Sequence, residues 1–148
     1  MSIGVESTAE ETYAVSLVFE SAGVGAQIER DIARPSLDTP WVLYLSASPR
    51  WVATRFSEFE ADAMANAWPG LMRFVRRIAG CFPGRSGGAI IVTDPHSDVQ
   101  IALSDDLPDD AYRQLLEIVL LEIPARRIGW SRDHGSWTDL SGHPIDAE

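Results

Sequence analysis

The sequence predicts an α+β fold, a two-layer sandwich with helices on one face of a mainly antiparallel sheet. Three observations lead there. From Trp41 onward the hydrophobic periodicity runs strand, helix, strand, strand, helix, strand, the order of a ferredoxin-like, split βαβ core. The 148 residues are 45% hydrophobic and include five tryptophans, enough to bury one core without disulfides or a structural metal. Proline and glycine fall between the periodic stretches, where chain reversals belong. A single domain over residues 12–140 is expected, with an additional N-terminal β-hairpin, a C-terminal strand that extends the sheet, and flexible tails at 1–11 and 141–148.

Residues 1–11 are polar, acidic and without periodicity. Tyr13, Val15, Leu17 and Phe19 then recur at every second position, the signature of a half-buried strand. A turn at Ser21–Gly25 and a more polar return over Ala26–Ile32 complete the first hairpin. After a linker with Pro35 and Pro40, residues Trp41–Leu45 are apolar on both faces, as in a central strand. Ser48-Pro49 marks a helix start, a hydroxyl at the N-cap followed by proline where a missing N–H costs nothing. Val52, Phe56, Phe59 and Ala63 share one helical face, and Pro69-Gly70 interrupts or kinks the helix before a second segment, Leu71–Ala79.

The stretch Gly84–Gly88 reads as a flexible connector into Ala89–Thr93, an apolar, β-branched strand. Asp94-Pro95-His96-Ser97 suits a type I turn, and Val99, Ile101 and Leu103 alternate on a returning strand. Carboxylates at 105, 106, 109 and 110 open a helix that runs through Leu121, with Ala111, Leu115 and Ile118 on one face. Ile123-Pro124 ends it. Arg126–Ser131 and Ser136–Leu140 bracket a turn at 132–135 and form a third hairpin on which Trp130 and Trp137 pair across strands.

Charge narrows the function. All twelve basic residues are arginines, against twenty-two acids, for a net charge of −10. Without lysine the chain has neither a Schiff-base amine nor the lysine of a phosphate-binding P-loop. The acidic balance disfavours nucleic acid, whose affinity for proteins comes mainly from cations on phosphates. No apolar run approaches the ~20 residues that cross a bilayer and no basic leader precedes one, so a cytoplasmic protein without membrane contact is expected. The lone Cys81 excludes an internal disulfide and has no second thiol for a redox or zinc motif.

The distribution of charge is more informative than its sum. Residues 1–66 hold ten acids and four arginines, and 94–122 hold eight acids and one arginine, whereas 67–93 hold Arg73, Arg76, Arg77 and Arg85 with no acid. Leu71, Phe74, Val75 and Ile78 form an apolar stripe, which places Arg73, Arg76 and Arg77 on the opposite, outward side. These arginines, with Arg85 and the neighbouring Trp68, are the candidate partner-binding patch, since Arg and Trp dominate binding hot spots. Neither Asp94 with Asp98 nor the aspartates at 105–110 have calcium-loop spacing, so no metal or other cofactor is expected. His134 and His143, with Asp133 and Asp139 close by, are the one place where an acid–base proposal can be written.

The expected function is therefore a non-enzymatic protein–protein interaction module, a bacterial accessory, inhibitor or immunity-like protein that meets another protein through its charged surface, as a monomer or homodimer. The alternative is a small ferredoxin-like enzyme of secondary metabolism, of the dimeric α+β barrel oxygenase or cyclase type, with His134 or His143 in an aromatic pocket.

Overall fold

A computed structural model describes residues 2–6, 9–23, 27–31, 41–56, 68–83, 87–118 and 126–139. Within them the chain forms β1 (Ser2–Glu6), α1 (Ala9–Ser21), β2 (Gln27–Asp31), β3 (Val42–Ser46), α2 (Pro49–Arg55), α3 (Trp68–Ala79), β4 (Ala89–Thr93), β5 (Gln100–Ser104), α4 (Asp109–Glu117), β6 (Arg127–Ser131) and β7 (Ser136–Thr138). The seven strands lie in the order β2-β1-β3-β4-β5-β6-β7. Pairings alternate: β1·β2, β3·β4 and β5·β6 are parallel, and β1·β3, β4·β5 and β6·β7 are antiparallel. Each parallel pair is joined through helix, so the chain is three βαβ units side by side, closed by a last strand.

The α+β sandwich stands, but its interior connectivity differs from the split arrangement. In a split unit another strand separates the two parallel ones, whereas here β3 and β4 are direct neighbours, with Leu43 opposite Ile90 and Leu45 opposite Val92. The β4–β5 hairpin turns outward, and β1 takes the other side of β3. Periodicity identifies strands without identifying their neighbours.

The N-terminal region departs furthest. Residues 2–6, expected in a tail, form an interior strand: Ile3 is fully buried opposite Ile28 and Leu45, on either side of it. The expected first strand is helix α1 and the first hairpin does not exist. Glu11, Val15 and Phe19 are buried at i, i+4 and i+8, while Tyr13 and Leu17 remain 66% and 45% exposed. A strand would have sent Tyr13, Val15, Leu17 and Phe19 to one side; the helix divides them. β2 does lie within the expected return, but it pairs in parallel with β1 across the α1 connection.

Elsewhere the local signals hold. The Ser48 hydroxyl accepts a hydrogen bond from the Trp51 N–H at 3.1 Å, with Pro49 at the first helical position. Pro69 sits in the first turn of α3, where no N–H is required, and the residues before Trp68 lie outside the described residues. α4 ends at Glu117 instead of running to Leu121, because Ile118 turns extended at φ −77°, ψ 132°. The hairpins β4–β5 and β6–β7 form as expected, Trp130 opposite Trp137. The helical turns expected at Phe59 and Ala63, the linker at 34–40, Ile123-Pro124 and the tail at 141–148 lie outside the described residues.

The core sits between one parity of the strands and the four helices. Leu43, Leu45, Ile90, Val92, Ile101, Leu103 and Ile128 meet Val15, Phe19, Val52, Phe56, Leu71, Phe74, Ile78, Tyr112 and Leu115 in one continuous cluster. The rings of Phe19, Phe56 and Phe74 join α1, α2 and α3 at centroid distances of 4.7–6.3 Å. Fully buried Trp137 ties β7 to α4, its indole N–H donating to the Ala111 carbonyl at 2.8 Å. The other parity, on which Val42, Tyr44, Ile91 and Ala102 lie, is half-buried to exposed, and no described element covers it.

Candidate functional site

The arginine patch divides into two chemical groups once its partners are located. Arg73 is half-buried and donates from Nη1 to the Phe56 carbonyl at 2.7 Å, at the C-terminal end of α2. Arg50 does the same for α4, donating to the Leu116 carbonyl at 2.9 Å. Helix C-termini leave carbonyls without intrahelical donors, and the dipole there favours a cation. Both arginines are therefore staples between helices, and Arg73 is withdrawn from the outward patch.

Arg76 and Arg77 remain outward and exposed. Arg77 reaches the Ser21 hydroxyl at 3.4 Å, next to α1. Exposed Arg55 lies over the Trp51 ring at 5.4 Å from its centroid. Neither α2 nor α3 carries an acid, and none of Arg55, Arg76 and Arg77 forms an ion pair among the described residues. On α1, whose last residue, Ser21, is the one Arg77 reaches, Tyr13 and Leu17 are exposed. Trp68 is half-buried against the core. Arg85 lies outside the described residues. Exposed Tyr13 and Leu17 were missed as surface residues because the strand reading placed them inside; the i, i+4 spacing of Val15 and Phe19 was the available signal.

Three of the aspartates, Asp94, Asp106 and Asp110, have internal partners. Asp106 accepts from the Ser104 hydroxyl at 2.6 Å and pairs with Arg132, which together hold its carboxyl below the usual carboxylate range. Asp110 pairs with Arg113 and accepts from Gln114, with the same direction of shift. Asp94 is buried and its Oδ2 accepts from the Ser97 N–H and hydroxyl, closing the turn after β4. Among the described residues no three His, Cys, Asp or Glu side chains gather as a metal site.

His134 is exposed in the β6–β7 turn, its Nδ1 3.0 Å from the Ser131 hydroxyl. That contact is local to a four-residue turn, and His134 lines neither groove described below. His96 is likewise exposed in a turn, and His143 lies outside the described residues. Cys81 is buried; burial, reinforced by the charge of Glu11, pushes its thiol up to about 11, far from the thiolate a nucleophile needs.

The described residues line at least two concavities. A shallow one of about 360 Å³ lies at the ends of β3, β4 and β5, between Gly87-Gly88 and Asp105-Asp106. The larger, about 530 Å³, opens on the face of the sheet that no described helix covers. No helix among the described residues is long and apolar enough to cross a membrane. Compared with protein families, curated proteins and solved structures, the chain matches none of them.

Proposed function

We propose that the protein is a non-enzymatic interaction module, in the manner of bacterial accessory, inhibitor or immunity-like proteins, that engages an acidic protein surface through the outer side of its helical layer. One observation carries the reading: α2 and α3 present Arg55, Arg76 and Arg77 outward with no acid on either helix, in a chain of net charge −10. A chain so acidic attracts cations almost everywhere else, so a local cationic face selects its partner by charge and orients it on approach. Tyr13 and Leu17 add exposed apolar area on α1, the helix that Arg77 reaches at Ser21, and apolar area with arginine is the combination found at binding hot spots.

The test is charge reversal. The immobilised full chain is expected to retain a partner from native extract that elutes as salt rises, and the double variant Arg76→Glu, Arg77→Glu to lose it with an unchanged melting temperature. Equal retention by both proteins would overturn the reading.

A further inference from the structure

The face of the sheet that no described helix covers carries a second surface, independent of the helical layer. Tyr44, Ile91 and Ala102 are cross-strand neighbours on β3, β4 and β5 and form the floor of the groove of about 530 Å³. Tyr44 is 56% exposed although it is a large ring on an interior strand. At Gly129 on β6 the floor has no side chain, and a β-carbon there would meet nothing within 4 Å. The groove is thus apolar and deepened by glycine at one side.

Its charge is equally specific. Arg127 lines the groove opposite Gln100, and its Nε donates to the Gln100 Oε1 at 2.7 Å. That bond fixes the plane of the guanidinium and leaves the two terminal nitrogens without a hydrogen bond among the described residues. Asp139, the acid among the described lining residues, is already engaged by a partner of its own. A planar fork of donors at the margin of an apolar floor matches a carboxylate attached to an apolar body.

We propose that this groove binds a small monocarboxylate, its apolar body over Tyr44, Ile91 and Ala102 and its carboxylate on the guanidinium of Arg127. Amide NMR titration of the full chain with octanoate, and in parallel with 1-octanol, tests it. Octanoate is expected to give saturable shifts confined to β3–β7 and Asp139. Arg127→Gln should weaken octanoate about tenfold and leave 1-octanol unchanged. Gly129→Val fills open space on a strand, so it should abolish binding of both probes at unchanged thermal stability. Absent shifts, shifts on other surfaces, octanoate held equally by the Arg127→Gln variant, or a dimer that buries this face in a second copy would each overturn the proposal.

Discussion

Gly88 and Trp41 are fitted to each other: a β-carbon at residue 88 would stand 2.0 Å from Cε2 of the Trp41 indole. The indole is itself fixed, stacked on Phe82 at 4.9 Å with 4° between planes and 1% exposed. The Trp41 carbonyl also accepts the Ala89 N–H at 3.1 Å, tying the two ends of the parallel β3–β4 pair. Gly88 is therefore a packing requirement where the sequence suggests only a flexible connector. Gly88→Ala should cost about 3 kcal/mol in urea unfolding, the upper range for overfilling a packed site. In a Trp41→Leu background the same change should cost less than half as much, because the clashing ring is gone. Equal costs in both backgrounds would place the strain elsewhere.

The arginines of α3 should separate by stability as cleanly as they separate by geometry. Arg73→Ala strands a part-buried carbonyl at Phe56 and is expected to lower stability by about 2 kcal/mol, as for loss of a hydrogen bond from a charged donor. Arg76→Ala and Arg77→Ala remove exposed side chains and should each change it by less than about 0.5 kcal/mol. Chemical denaturation of the three variants measures this directly. If Arg73→Ala were as mild as the other two, Arg73 would rejoin the outward patch.

Elements with a single reading were legible in the sequence. In β4 and β5 alternation, β-branching and the Asp94 turn agree, and the expected hairpin forms, with Val92 opposite Ile101. Trp130 and Trp137 likewise meet in the T-shaped contact, centroids 5.8 Å apart, that their spacing about a four-residue turn implies. The segment 13–19 satisfies periods of 2 and 3.6 together, and tertiary burial decided between them. The β1 sequence has only two large apolar residues, Ile3 and Val5, too few to register as a strand without β2 and β3 on either side. The groove was illegible for a related reason: Gly129, Gln100 and Arg127 become neighbours only through the parallel β5–β6 ladder, and nothing local encodes that pairing.

Trp137 concentrates the C-terminal hairpin's attachment in one side chain. Its ring is fully buried, and its N–H satisfies the Ala111 carbonyl on α4. Trp137→Phe removes that buried hydrogen bond and leaves unfilled volume, so a loss of about 2–3 kcal/mol is expected. Trp130→Phe, at a half-buried position whose indole donates no such bond, should cost under about 1 kcal/mol. Comparable losses for both would show that the pair stabilises by stacking and not through the tie to α4.

Alkaline pH should destabilise the fold through two buried acids of opposite visibility. Burial raises the Cys81 thiol from 9.0 to about 11 and the Tyr112 phenol from 10.0 to about 12. For Tyr112 the Arg76 charge opposes the shift and Asp105, Asp106 and Asp109 reinforce it. For both groups the unfolded chain releases its proton first, so the folded state binds more protons in that interval and stability falls as pH rises. The loss should begin near pH 9 from Cys81, continue from pH 10 with Tyr112, and be complete above the folded values. Unfolding of Cys81→Ala should lack the first part of this decline and keep the second. In native protein at pH 8 the thiol should react with a disulfide reagent only as fast as the fold opens, and at full speed in urea. Rapid native labelling would mean that Cys81 is accessible, and its raised titration would then need a cause other than burial.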